Sequence, residues 1–150
     1  MVDYNIIVSG SKWVQGNVLS TERAIKNLID DTYDTLLLTI YIITNEELLE
    51  HIIDALNRGV NVEIFMYEGE ELNSSVLNKI KDLTDIYPNL VLHISTEEFI
   101  HAKVLVADTS NVIIGSANLT KSGLQSNYEL GILLKDENIA CDVERIIKRL

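Results

Sequence analysis

Apolar and polar positions switch between two periods along this chain, and the switches mark its elements. Residues 4–8 (Tyr-Asn-Ile-Ile-Val) predict a first strand, and Ser9 to Gly16 a loop that holds the only tryptophan, Trp13. Ser20 is placed to cap a helix running to about Asp31, with Ala24, Ile25, Leu28 and Ile29 on one side. Leu36 to Ile43 is a near-continuous apolar run, as expected of a central strand covered on both faces. Asn45 caps a second predicted helix, in which Leu48, Leu49, Ile52, Ile53 and Leu56 keep the helical period and Gly59 supplies the left-handed stop. Val60 to Tyr67 then reads as a strand, which completes a βαβ unit. Ser74 or Ser75 opens a third helix through about Asp85, Pro88 stops it, and Leu90 to Ser95 is a further strand. Two more strands flank Thr109-Ser110-Asn111, another covers Ile132-Leu133-Leu134, and Asp136 to Leu150 closes the chain as a helix.

At 150 residues the chain is expected to form one domain, 1–150, with a single core. Hydrophobic residues make up 47% and charged residues 23%, which excludes a disordered composition. The single cysteine, Cys141, rules out a disulfide framework within the chain, and its helical context predicts a small buried side chain. No Cys/His metal spacing occurs, so neither metal nor cofactor is expected. The N-terminal residues carry no signal-peptide pattern, and the longest apolar run is too short to span a bilayer. A cytoplasmic location without stable membrane association is the expectation.

Chemistry concentrates near the C-terminal end, in His101-Ala102-Lys103, Asp108 and Gly115-Ser116-Ala117-Asn118. Alternate residues of a strand share a face, so a strand over 101–107 sets Lys103 beside His101 and turns Ala102 and Val104 toward a core. An imidazole can act as nucleophile or as proton carrier near neutral pH. A neighbouring ammonium supplies fixed charge for a phosphate oxygen. A hairpin through residues 112–116 returns Ser116 and Asn118 to the level of His101, with Gly115 allowing close backbone approach. His51 and His93 lack such companions.

The pattern H-x-K-x4-D-x6-G-S-x-N resembles the signature of the phospholipase D superfamily, with every defining position filled. The resemblance implies that His101 forms a phosphohistidine, that Lys103 and Asn118 hold the phosphate with help from Ser116, and that Asp108 is structural. Asn127-Tyr128-Glu129-Leu130-Gly131 is similar to a second segment of single-motif nucleases in that superfamily, whose Glu bonds the catalytic histidine; this gives Glu129 that role. The implied fold is α/β, a mixed, mostly parallel central sheet of about seven strands flanked by helices on both faces. Because the superfamily builds its site from two such motifs and this chain has one, a homodimer with a shared active site is implied.

These readings converge on a metal-independent phosphodiesterase of endonuclease type, with DNA or RNA as substrate. Two alternatives stay open: a lipid phosphodiesterase or transferase, and the cutting subunit of a larger defence or repair assembly. The net charge of −11, from 12 Lys plus Arg against 23 Asp plus Glu, argues against tight tracking of long DNA by the chain alone. Acidic groups such as Glu46-Glu47, Glu68-Glu70-Glu71 and Glu97-Glu98 read as solvated faces or helix starts. Either Lys103 and Lys121 make the site locally positive, or a partner supplies the nucleic-acid affinity. Trp13 could stack on a base, although a packed or interface-rim position is the favoured reading.

Overall fold

The computed structural model describes residues 1–150, except for the side chain of Glu71, so the part of the acidic reading that rests on Glu71 lies outside the described residues. Eight strands form one sheet: β1 (Asp3–Val8), β2 (Leu19–Ser20), β3 (Thr35–Ile40), β4 (Asn61–Tyr67), β5 (Leu90–Ser95), β6 (Val104–Ala107), β7 (Asn111–Gly115) and β8 (Leu130–Lys135). Four helices accompany them: α1 (Thr21–Asp31), α2 (Glu46–Asn57), α3 (Ser75–Leu83) and α4 (Glu137–Ile147). The strand order is β2-β1-β8-β7-β6-β3-β4-β5. The mixed α/β architecture is as expected, with two corrections. The sheet has eight strands rather than about seven, because the short β2 pairs with β1. It is not mostly parallel: β3, β4 and β5 run parallel, but the ladders joining β1, β8, β7, β6 and β3 are antiparallel. Short turns between β6 and β7, and a return segment before β8, dictate that geometry.

Caps fix the helix starts. Ser20, Asn45, Ser74 and Asp136 each accept a hydrogen bond from a backbone amide of the first turn. Helices α1, α2 and α3 cover one face of the sheet, where Ile25, Ile29, Leu48 and Ile52 meet Leu36, Leu38 and Ile64. Helix α4 covers the other face through Ala140 and Ile147, which pack with Leu37, Phe65, Val106 and Val112. The continuous apolar run of β3 follows from this, since its alternate residues enter two different cores. Cys141 falls outside the apolar stripe of α4 and is exposed, contrary to the buried position expected of it.

At one end of the sheet, Asp108 and Thr109 form the β6–β7 turn with φ of 53° and 49°. The left-handed region is unfavourable for a β-branched residue such as Thr109. Compensation comes from the Asp108 carboxylate, which accepts backbone N–H bonds from Tyr33, Asp34 and Thr35 at 3.2, 2.8 and 3.0 Å. The turn is thereby tied to the start of β3. Asn111, expected in the turn, instead opens β7.

Candidate active site

The opposite end of the sheet gathers the C-terminal ends of β1, β3, β4, β5 and β7 and the N-terminal ends of β6 and β8. His101 and Lys103 lie here, in the segment that precedes β6 rather than within a strand, and Ala102 is exposed rather than turned to a core. The reason is Thr39. Its buried hydroxyl donates to Ala102 O and accepts from Val104 N, both at 2.9 Å, and so takes the place of ladder bonds. The segment is held against β3 while its side chains stay free.

Lys103 and His101 nevertheless meet. Lys103 Nζ stands 3.4 Å from His101 Nδ1, and donates to His101 O at 2.9 Å. The imidazole packs against Tyr41 at 4.4 Å between centroids and lies nearly parallel to Phe99, 11° apart in plane. Lys103 Nζ also sits 5.4 Å from the Tyr41 ring centre, within cation–π range. Partial burial pushes the Lys103 ammonium below the ordinary lysine value, and the charge of Glu129 opposes that shift.

Asn118 shares a small crevice with Lys103, Thr39 and Tyr41. Its Oδ1 is buried without a hydrogen-bond partner. The loop that carries it is fixed to the end of β3: Leu119 N donates to Ile42 O, and Leu119 O accepts from Thr44 N and Asn45 N. Gly123 packs against Asn118 so closely that an added Cβ would come within 2.4 Å of Asn118 O, so no larger residue fits there. The close approach at Gly115 is to Gly131 across the β7–β8 ladder: an added Cβ at Gly115 would lie 3.1 Å from the Gly131 Cα.

Glu129 is not hydrogen-bonded to His101 within the chain, which corrects the expected contact. Its carboxylate accepts from Ser116 Oγ and from Asn127 Nδ2, the latter at 3.5 Å, and Ser116 Oγ accepts from Leu130 N at 3.1 Å. Ser116 is therefore engaged with Glu129 and β8, while Glu129 reaches the site through its charge on Lys103. Trp13 stacks edge-on against Tyr128 at 5.1 Å, on the same end of the sheet. His51 and His93 each bind a carboxylate elsewhere, Asp30 at 2.6 Å and Glu63 at 2.8 Å.

Charge is partitioned. Lys26, Lys79, Lys81, Lys135 and Lys148 all form ion pairs. Lys12, Lys103 and Lys121, on segments at the His101 end, pair with no carboxylate among the described residues. An acidic molecule thus keeps its unneutralised lysines around the motif. No group of three or more His, Cys, Asp or Glu side chains capable of holding a metal occurs among the described residues. The site is open surface, whereas a cavity of about 430 Å³, lined by Asn5, Asn27, Asp31, Asp108, Asn111 and Lys135, sits at the far end of the sheet. No helix is long and apolar enough to cross a membrane, among the described residues.

Thr39, Tyr41 and Phe99 are site neighbours that the sequence reading did not single out. A hydroxyl inside the otherwise apolar run from Leu36 to Ile43 was a usable signal for Thr39.

Comparison with known proteins bears on the fold and the family. The chain is 27% identical over 124 residues to the DISARM protein DrmC of Bacillus paralicheniformis, covering 79% of this chain and 51% of that protein. It is 28% identical over 149 residues to a cardiolipin synthase of Clostridium perfringens, covering 91% of this chain and 30% of the synthase. The chain thus spans about half the length of the first relative and under a third of the second. Among solved structures, the phospholipase D family member Nuc from Salmonella typhimurium superposes with a TM-score of 0.80 at 19% identity, over 98% of this chain and 93% of that one. NucT from Helicobacter pylori gives 0.75 at 18% identity, over 98% and 95%. The family described as "Cardiolipin synthase, PLD-like domain" matches residues 25–150, and with it the chain belongs to the phospholipase D superfamily.

Proposed function

We propose that this chain is a metal-independent phosphodiesterase that cuts nucleic acid through a covalent phosphohistidine, in a site completed by a second copy of itself. The observation that carries the reading is the contact of His101 Nδ1 with Lys103 Nζ at 3.4 Å, beside Asn118 and on an exposed surface. In the first step an imidazole nitrogen of His101 attacks phosphorus and the bond to the leaving oxygen breaks. Lys103 and the Asn118 amide hold the nonbridging oxygens as charge builds on them. The leaving oxygen takes a proton from a second imidazole. In the second step that imidazole accepts a proton from water, the water oxygen joins phosphorus, and the P–N bond breaks. Glu129 acts on this chemistry as a charge that keeps Lys103 protonated, with Ser116 fixing its carboxylate, while Asp108 and Gly115 hold the hairpin.

The second imidazole has to come from outside the chain, since His51 and His93 are bound to carboxylates elsewhere. A homodimer is further supported by an uncovered apolar surface beside the site. Ile6, Ile114 and Leu130, at 45%, 38% and 55% exposure, lie on the face of the sheet that α4 covers only in part.

Nucleic acid is favoured over lipid because no basic amphipathic helix suited to a bilayer surface occurs among the described residues, while Lys12, Lys103 and Lys121, on segments at the His101 end, form no ion pair. The test is an activity screen on single- and double-stranded DNA, RNA and phospholipid, with and without EDTA. Cleavage of a nucleic acid that survives excess EDTA is expected. Loss on chelation with rescue by Mg²⁺ or Zn²⁺ would refute metal independence, and turnover confined to phospholipid would refute the substrate class.

A further inference from the structure

Next to the nucleophile lies an aromatic ring that no part of the hydrolytic chemistry uses. Phe99 is 61% exposed, although the residue after it, Ile100, is buried. Its ring is braced by two inclined contacts, to Tyr41 at 5.5 Å and to Tyr67 at 5.1 Å. The loop that presents it is also fixed, since Ser95 Oγ accepts from Glu98 N at 2.9 Å and Glu97 N at 3.3 Å. A large apolar ring held rigidly in solvent costs hydration free energy unless something covers it. The plane of Phe99 is within 11° of the His101 imidazole, with centroids 5.8 Å apart. A flat group lying on Phe99 would therefore be parallel to the nucleophile and next to it.

We propose that Phe99, braced by Tyr41 and Tyr67 beside His101, is a stacking platform for an unpaired nucleobase next to the scissile phosphodiester, and that single-stranded nucleic acid is the preferred substrate. This rests on the reading of His101 as the phosphodiesterase nucleophile. In a duplex both faces of a base are already stacked, so only a single strand, loop or end offers a free face. Electrostatics points the same way. A duplex carries one negative charge per about 1.7 Å of axis and a single strand about half that density, so a chain of this acidity repels the duplex more. The local charges separate the two parts of a nucleotide. Glu97 and Glu98 immediately precede Phe99 and disfavour phosphate there, while Lys103 marks the place for phosphate beside His101. The base contributes stacking energy that a net-acidic surface cannot supply by attraction to the backbone.

The experiment uses the full chain and its Phe99→Ala and Phe99→Trp variants, with folding checked by circular dichroism. Substrates are a single-stranded oligonucleotide, its duplex, and a strand of the same length made of abasic nucleotides. Binding of the same strands is measured by fluorescence anisotropy in a His101→Ala background. Phe99→Ala should raise KM and Kd for the base-bearing single strand by about 5- to 150-fold, the range for removal of one stacking aromatic. The loss should be confined to base-bearing strands, and Phe99→Trp should restore affinity. Unchanged Kd in Phe99→Ala, equal loss on abasic strands, or duplex preference in the wild type would each overturn the proposal. So would Phe99-dependent sedimentation with phosphatidylglycerol vesicles in place of strand binding. Wild-type turnover in His101→Ala would instead overturn the nucleophile assignment, and the anisotropy arm would still decide the role of Phe99.

Discussion

Lys103 joins the electrostatics of the site to a measurable pH dependence. In the proposed mechanism its ammonium form holds phosphate, and partial burial lowers its pKa below the ordinary 10.5. The useful form is therefore lost as pH rises through that lowered value. Activity should fall on the alkaline side at a pH below the ordinary lysine range. Glu129 raises the Lys103 value, so Glu129→Gln should move that limb to still lower pH. Lys103→Arg should abolish the limb while lowering the rate, because guanidinium stays charged but presents different donor geometry. Rate profiles from pH 6 to 11 check this, and an unchanged alkaline limb in Lys103→Arg would show that another group titrates. At this scale the motif residues were legible because they lie within eighteen positions and their spacing carries the meaning. Tyr41 was not, because it comes from another segment and only the fold brings it to His101; Phe99 lies two residues before His101, but its exposed, parallel ring does not follow from that spacing. The contacts of Glu129 were misjudged for a related reason: sequence shows that a carboxylate is near the site, not which donor it meets.

The element that sets the site is the junction of β3 with the start of β6. Thr39 Oγ1 makes two hydrogen bonds there, and Thr39 is 3% exposed. Replacement with valine keeps the volume but strands Val104 N–H and Ala102 C=O. The expected destabilisation is about 1–3 kcal/mol, the cost of leaving a buried polar group unsatisfied. Turnover should fall as well, since the His101–Lys103 segment loses its anchor. Urea unfolding of Thr39→Val beside wild type measures the first effect, and an unaltered midpoint would show that the hydroxyl is dispensable. Helix starts were readable from Ser20, Asn45 and Asp136, because a capping side chain acts locally. The extent of the predicted strand over 101–107 was not, because a side chain of β3 displaces ladder bonds. Strand direction was also beyond local pattern: β8 reads as an apolar strand whichever way it runs, and its pairing with both β1 and β7 settles it.

Across the whole molecule, three features share one end of the sheet: His101, Lys103 and Asn118 of the motif, the lysines without ion pairs, and the exposed apolar row of Ile6, Ile114 and Leu130. Net charge alone hid this, because a sum cannot show that the other lysines are neutralised in place. An interface over that row would bury apolar surface and bring a second imidazole to the phosphate, as closed two-fold symmetry permits. The central claim is that His101 forms the covalent bond in a site shared between two copies. The direct measurement is a quenched single turnover with labelled oligonucleotide in EDTA, with the adduct mapped by mass spectrometry and its stoichiometry counted against sedimentation mass. The account predicts a dimer, phosphate on His101 alone, and at most about one adduct per two chains, since one shared site carries one nucleophile at a time. Turnover by a monomer, or by His101→Ala protein, without any histidine adduct would contradict it.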